Sequence, residues 1–337
     1  MNKEEKKINN KSRKVRLALP SKGRMEEETQ DFLNECGFNI KRNSRQYIGS
    51  ISEPMELQLV YQRQVDIIRG VLNGSLELGI VGYDLVLEHL PGESKELVVI
   101  HDALNFGKCS LEIAVPEDWL ESSIEEIKLK GEITKIRVAT KFPKLTQQFL
   151  ILHEIDFEIV KGNGSLEVYP ELDYSDIVVD LVSTGKTLKD NRLKRIDGGK
   201  LMTSEAVLIG NRPALGDKAV LKVTRELVEY FEATLRAKNY VSVFINMRGE
   251  DPKNIAERMF AKEGLEGLQG PTISPIISSE SGSWFAVHII VDKRKLTETI
   301  RALREIGGSG VVVSPTLFIF EEEPKRYKQL LKNLEDN

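Results

Sequence analysis

Apolar positions along this chain come in short, strand-length runs separated by amphipathic stretches, the alternation expected of a layered α/β protein with a mostly parallel sheet. The pattern predicts a strand over 15–19, ended by Pro20, and a helix over 22–36 that Ser21 caps and Gly37 ends. A strand at 57–61, a short helix at 65–72 stopped by Asn73 and Gly74, and a buried strand at 76–81 with Gly82 directly behind it follow. Strands at 97–100 and 111–115 come next. Residues 119–130 read as a loop with a short helix. A strand at 136–140, a helix at 145–153 and strands at 157–160 and 177–182 make a second, smaller α/β lobe. The run at 206–209 is expected to return to the first lobe, leaving a cleft between two lobes, a usual place for a ligand.

Beyond this point the pattern changes. Residues 218–238 carry a helical stripe of Leu221, Val228, Phe231 and Leu235. Then come a strand at 240–246, a helix at 254–262, strands at 272–277 and 284–291, a helix at 293–306 and a strand at 311–320. The order β-α-β-β-α-β is that of a split βαβ, or ferredoxin-like, domain. The expected organisation is a disordered tail at 1–14, a first lobe at 15–110 and 204–224, a second lobe at 111–203, and a C-terminal α+β domain at 225–337.

Composition narrows the function. With 337 residues and roughly 150 per domain, two or three cores are expected. A net charge of −4 argues against general nucleic-acid binding while leaving room for local basic pockets. Cys36 and Cys109 are too far apart for a zinc ribbon, and His89, His101, His153 and His288 show no paired-ligand spacing, so no dedicated metal site is expected. A reducing compartment fits. No apolar run approaches the ~18–20 residues that span a bilayer. The first fourteen residues have neither an apolar core nor an Arg/Ser-rich amphipathic pattern, so a cytoplasmic location is expected.

Four segments could carry chemistry. The strongest is Asp-Leu-Val-Ser-Thr-Gly-Lys-Thr-Leu at 180–188, where a β-branched strand enters a hydroxyl-rich, glycine-containing turn. Such a turn can aim successive backbone N–H groups at one anion. The hydroxyls of Ser183, Thr184 and Thr187 and the Lys186 ammonium would add donors, and Asp180 could accept from sugar hydroxyls. A plain strand-to-helix turn with a Ser/Thr cap accounts for the same residues. Pro-Ser-Lys-Gly-Arg at 20–24 places Lys22 and Arg24 at the start of a helix, favourable to a polyanion, or merely leaves solvated charges there. Gly79 and Gly82, in Gly-Ile-Val-Gly-Tyr-Asp, permit close backbone approach to a ligand. Arg63 and Asp66 lie where a strand hands over to a helix. Gly-Asn-Gly-Ser-Leu-Glu at 162–167 is a flexible turn followed by the carboxylate of Glu167.

Together these segments resemble the ATP phosphoribosyltransferase family, in order, from residue 15 to 320. Leu-Ala-Leu-Pro-Ser-Lys-Gly-Arg (17–24), Leu-Gly-Ile-Val-Gly-Tyr-Asp (78–84), Ala-Thr-Lys-Phe-Pro (139–143), the 180–188 loop and Ser-Glu-Ala-Val-Leu-Ile (204–209) look like successive family segments. Gly-Leu-Gln-Gly-Pro-Thr-Ile-Ser-Pro (267–275) and Gly-Gly-Ser-Gly-Val-Val-Val-Ser-Pro (307–315) resemble the regulatory domain of the family's long form, and Asn-Met-Arg-Gly (246–249) looks like the plant-type branch. The chain departs from the family's habit at Phe142, often Tyr, at Ser110, often Arg, and at Gln64 and Val65, often Pro-Lys.

The resemblance implies a two-lobed catalytic core like that of periplasmic binding proteins, carrying a ferredoxin-like regulatory domain. It implies transfer of phosphoribosyl from phosphoribosyl diphosphate (PRPP) to N1 of ATP with release of diphosphate, Mg²⁺ entering on the substrate phosphates, and inhibition by histidine. Asp180, Glu167 and Arg63 would be catalytic. Asp180, Ser183, Thr184, Gly185, Lys186 and Thr187 would bind PRPP. Ser21, Lys22, Gly23, Arg24, Arg63, Gly82, Asp84 and Phe142 would face ATP or diphosphate. Thr272, Ser309 and Gly310 would lie near the effector. The resemblance further implies a homo-oligomer, dimer to hexamer, and a plastid location if the source is a plant. The competing class is a non-catalytic two-lobed small-molecule binder or regulator; a regulator would need a DNA-binding helix-turn-helix, and none is evident.

Overall fold

The computed structural model describes residues 14–335 apart from 44–45, 91, 93, 163, 263, 266 and 278–282, so the expected tail lies, but for Lys14, outside the described residues. The chain divides into two units, Met1–Glu226 with Arg326–Asn337, and Leu227–Lys325.

The first unit holds two sheets. The first lobe runs β1 (Arg16–Pro20), α1 (Arg24–Glu35), β2 (Ile40–Lys41), β3 (Ile48–Ile51), β4 (Leu57–Gln62), α2 (Gln64–Leu72), β5 (Leu78–Gly82), α3 (Tyr83–His89) and β6 (Leu97–His101). The second lobe follows with β7 (Cys109–Pro116), α4 (Ile124–Ile133), β8 (Ile136–Thr140), α5 (Pro143–Leu152), β9 (Phe157–Lys161), β10 (Ile177–Val182), α6 (Lys186–Asp190) and β11 (Leu193–Ser204). The chain then returns through β12 (Ala206–Asn211), which pairs antiparallel between β5 and β6 and completes the order β2-β3-β4-β1-β5-β12-β6. The second sheet has the order β11-β7-β10-β8-β9.

The central strands read as continuous apolar runs because both of their faces are covered. Leu17, Ala18, Leu19, Ile80, Val207 and Leu208 are all fully buried. Packing also explains the glycines expected to approach a ligand. A Cβ on Gly79 would stand 2.4 Å from Ile67 Cγ2, and one on Gly82 would stand 2.6 Å from Asp84 Oδ1. These positions are small so that α2 and α3 can seat against β5.

The second unit begins within α7 (Lys218–Ala237) and continues with β13 (Tyr240–Arg248), α8 (Pro252–Phe260), β14 (Thr272–Ile276), β15 (Trp284–Asp292), α9 (Leu296–Glu305) and β16 (Gly308–Pro315). All pairs in its sheet are antiparallel, in the order β14-β15-β13-β16. That is the ferredoxin-like arrangement. Val241, Val243, Ile245 and Met247 of β13 face the helices while Ser242, Phe244 and Asn246 face away, the period-two pattern of a half-covered sheet.

The last helix, α10 (Lys325–Glu335), belongs to the first unit almost entirely, not to the C-terminal domain drawn at 225–337. Its Tyr327 and Leu330 are buried. Arg326 Nε donates to Asp102 Oδ1 at 2.7 Å, and Arg212 Nη1 donates to the Asn333 carbonyl at 2.6 Å. Sequence reasoning also passed over α3, β11 and the β2–β3 hairpin.

Candidate active site

The parallel strands of the first lobe end together. β1 pairs with β4 through Pro20 and Gln62, and with β5 through Leu17–Leu78 and Ala18–Gly79, so the segments after all three strands meet at one sheet edge. Ser21–Arg24, Arg63 and Gly82–Asp84 follow those strands. β8 and β10 of the second lobe are also parallel and deliver Lys141 and the 183–187 loop to one edge. C-terminal edges of parallel strands are where α/β proteins hold ligands.

The helix after β1 starts later than expected. Gly23, at φ 69°, is the N-cap of α1 and makes no side-chain cap, so Ser21 is not the capping residue. The Ser21 amide instead donates to the Gln62 carbonyl at 3.0 Å, extending the β1–β4 ladder. The left-handed bend at Gly23 leaves Lys22 and Arg24 exposed. Arg24 then reaches the other lobe through Nη1, which donates to Ser183 Oγ at 2.6 Å, while Nη2 donates to the Lys108 carbonyl, just ahead of β7, at 3.2 Å.

In the 183–187 loop, Gly185 takes φ 77° and is the N-cap of α6 with no side-chain cap. The cap residue itself thus offers no side chain, and what remains of the Ser/Thr-cap alternative is a long contact from Thr184. Thr184 Oγ1 accepts from the Lys186 amide at 3.4 Å, while Ser183, Thr184, Lys186 and Thr187 are all exposed. Thr184 thus turns its hydroxyl toward the helix start and Ser183 toward Arg24, while the loop as a whole is open to solvent.

Asp180 stands behind the loop. Its Oδ1 accepts from the Leu181 amide at 2.8 Å, and its Oδ2 lies 3.6 Å from Lys141 Nζ. Burial raises its pKa above the ordinary carboxylate range; the Leu181 amide and Lys141 oppose that rise, and the nearby negative charge of Glu167 adds to it. Asp180 is the cross-strand partner of Glu112, whose Oε2 lies 3.6 Å from Arg195 Nη1. A row of charges thus crosses the sheet, Lys141, Asp180, Glu112, Arg195, with the two carboxylates adjacent in the middle and a cation at each end. Glu112 is buried, and Ser110 Oγ donates to its Oε1 at 2.5 Å.

Other expected site residues are placed differently. Asp84 is buried in the first turn of α3, accepting from Ser204 Oγ at 2.5 Å while its amide donates back to that hydroxyl at 3.0 Å. Burial raises its pKa against the pull of Ser204. The Gly82 amide is taken by Gln64 Oε1 at 2.7 Å. Phe142 is the N-cap of α5 and lies in the apolar core of the second lobe. These three support the cleft from inside and do not line it. Arg63 is the exposed N-cap of α2, and Glu167 lies half-buried in a short 3₁₀ turn.

A second set of contacts joins the lobes. Glu88 of α3 accepts from the Lys144 and Leu145 amides at 2.9 and 3.0 Å, satisfying the start of α5. Lys144 Nζ in turn donates to the Leu87 and Leu90 carbonyls at 3.0 and 2.7 Å, satisfying the end of α3. Each helix terminus is closed by a charge from the other.

In the second unit, Thr272 sits on edge strand β14, in register with His288 of β15, while Ser309 sits on β16, in register with Asn246 of β13. These are opposite edges of the sheet, three strand spacings or roughly 14 Å apart. Thr272 and the Ser309–Gly310 turn therefore do not form one pocket for a single amino acid within this unit.

Sequence reasoning missed Lys141, Glu112 and Arg195. A glutamate inside the apolar run Leu-Glu-Ile-Ala-Val at 111–115 was the available signal for the second of these.

The sequence model of the ATP phosphoribosyltransferase family matches residues 63–233, and that of the HisG C-terminal domain matches 237–316. ATP phosphoribosyltransferase 2, chloroplastic, from Arabidopsis thaliana is 40% identical over 335 residues, covering 95% of this chain and 80% of the plant protein. The Methanothermobacter thermautotrophicus ATP phosphoribosyltransferase is 32% identical over 302 residues, covering 90% of this chain and 98% of its own. Among solved structures, the ATP phosphoribosyl transferase (HisG:HisZ) complex from Thermotoga maritima matches at a TM-score of 0.52 and 25% identity, covering 65% of this chain and 98% of that one.

Proposed function

Because this chain belongs to the ATP phosphoribosyltransferase family, we propose a division of labour among its cleft residues for the transfer of phosphoribosyl from PRPP to N1 of ATP, the entry reaction of histidine biosynthesis. The observation that carries the reading is the Arg24–Ser183 contact, which sets a first-lobe cation directly against the hydroxyl-lined loop of the second. Ser183, Thr184, Gly185, Lys186 and Thr187 hold the ribose 5-phosphate. Asp180 accepts from ribose hydroxyls. Lys22, Arg24 and Arg63 face the diphosphate or ATP phosphates. Glu167 lies beside the reacting sugar.

The chemistry suits that arrangement. As diphosphate departs, positive charge builds on the sugar and negative charge on the leaving oxygens. The site answers with cations on one side and carboxylates on the other. A ring nitrogen of adenine is already nucleophilic, so the transfer depends on positioning more than on a strong base. Asp180 is engaged by Lys141 and the Leu181 amide, and among the described residues no three His, Cys, Asp or Glu side chains gather to hold a metal, so Mg²⁺ would ride on substrate phosphate oxygens. When bound there it would neutralise charge on the leaving group.

The second unit serves as a histidine-responsive regulatory domain. Because its expected effector residues lie on opposite sheet edges, an effector contacting both would have to lie between copies of the chain in a homo-oligomer. The chloroplastic names of the Arabidopsis relatives favour the plastid alternative over a cytoplasmic location. The test is direct: ATP, PRPP and Mg²⁺ should yield diphosphate and N1-(5-phosphoribosyl)-ATP with the full chain, and Thr187→Ala should raise the PRPP KM at least tenfold with the fold intact. A Thr187→Ala enzyme with unchanged PRPP KM would remove the loop from the site.

A further inference from the structure

The geometry points to Arg195 as an arginine at the sugar-phosphate loop, binding the 5-phosphate from the sheet side; this rests on the loop's being the phosphate seat.

Arg195 belongs to β11, at the sheet edge beside β7, in register with Ala114. Its guanidinium lies against the loop: Nη2 is 3.7 Å, and Cζ 3.8 Å, from where a Cβ on Gly185 would stand. A side chain at Gly185 would thus touch the guanidinium, which stands beside the loop at its left-handed residue. The Arg195 side chain is 54% exposed while its partner Glu112 is only 7% exposed. The pairing distance of 3.6 Å is an ion pair and too long for a hydrogen bond, so Glu112 holds the guanidinium without using its forked donors. Glu112 is itself fixed by Ser110. An arginine anchored at its inner side by a buried charge, with donors open beside a hydroxyl-lined turn, is arranged to take a phosphate through two parallel N–H bonds.

A purely structural role would have Arg195 only neutralise Glu112. The two roles separate by experiment. Affinity for ribose 5-phosphate, which carries the sugar phosphate and no diphosphate, is measured by competition against PRPP and by calorimetry, with KM for PRPP and for ATP measured alongside. Arg195→Ala should weaken ribose 5-phosphate and raise the PRPP KM by about 10- to 100-fold, leave the ATP KM within about twofold, and recover partly in Arg195→Lys. Should Arg195→Ala misfold with Glu112 stranded, the Glu112→Gln/Arg195→Ala double variant removes that burden and should show the same loss. Unchanged ribose 5-phosphate affinity in either folded variant overturns the inference. Thr187→Ala in the same assay tells the two failures apart. Loss there without loss at Arg195 refutes only the arginine's role, and no loss at either position refutes the loop as well.

Discussion

Replacing Asp180 by Asn should make this protein more stable and nearly inactive. Asp180 and Glu112 are directly paired across β10 and β7, which puts their carboxylates on one face. Burial is the main penalty on the charged Asp180 carboxylate, and the nearby negative charge of Glu167 adds to it. Lys141 offsets part of this, but its side chain is 42% exposed, and an ion pair so open to water contributes about 0–1 kcal/mol. Asn keeps the oxygen that accepts from Leu181 and removes the charge. The net gain should be about 1 kcal/mol, a rise in Tm of about 2–4 °C for a unit of this size. The sign with pH follows from the raised pKa of Asp180. Above that raised value the native carboxylate bears its penalty in full and the variant's advantage is complete. As pH falls through it toward the ordinary aspartate range, the native group takes up a proton and the advantage disappears. Catalysis moves the other way: losing charged acceptance of ribose hydroxyls, at about 1.5–3 kcal/mol per bond, should lower kcat/KM for PRPP by about 10- to 100-fold or more. Thermal melts between pH 4 and 8 beside a diphosphate-release assay read both. A variant that melts lower at pH 8, or that turns over normally, would refute the reasoning.

Three further outcomes are expected. Glu88→Ala, which strips two amides at the start of α5 of a buried charged acceptor, should cost about 2–4 kcal/mol in denaturant unfolding, and Glu88→Gln should cost less. Ending the chain at residue 224 should destabilise the catalytic core by several kcal/mol, since Tyr327 and Leu330 of α10 lose buried sites worth about 1.5–3 kcal/mol each, and a melting curve of the truncated chain checks this. Replacing 238–320 by a flexible linker keeps α10 and should preserve transfer while abolishing inhibition by added histidine; inhibition that survives would move the effector out of the second unit.

What the sequence disclosed follows from how locally each feature is determined. β5 and β12 are buried on both faces, and β10 is apolar at every position but Asp180, so all three announce themselves in any window. The second unit's strands alternate cleanly because one face meets helices and the other does not. β11 carries Lys194, Asp197 and the adjacent Gly198 and Gly199, and its pairing with β7 shifts register after Arg195, so no short-range period marks it. α3 hides for a related reason: its Asp84 and Glu88 are buried, against the usual polarity rule, because Ser204 and the start of α5 satisfy them. The 183–187 loop was legible because hydroxyls and a glycine gather in one turn. Phe142 and Asp84 stood in the right segments yet point inward, a matter decided by packing that spacing does not encode. Arg195 reaches the loop only through sheet pairing, which no linear motif records.

The two joints between the lobes are unlike in kind. Glu88 and Lys144 lock two helix ends together through four part-buried bonds, a pivot that has no reason to let go. Arg24 and Ser183 meet in the open, a latch that any stronger anion can spring. The guanidinium that fastens one lobe to the other is the same one the diphosphate or ATP phosphates would claim, so arrival of the guest undoes the bolt and then takes its place.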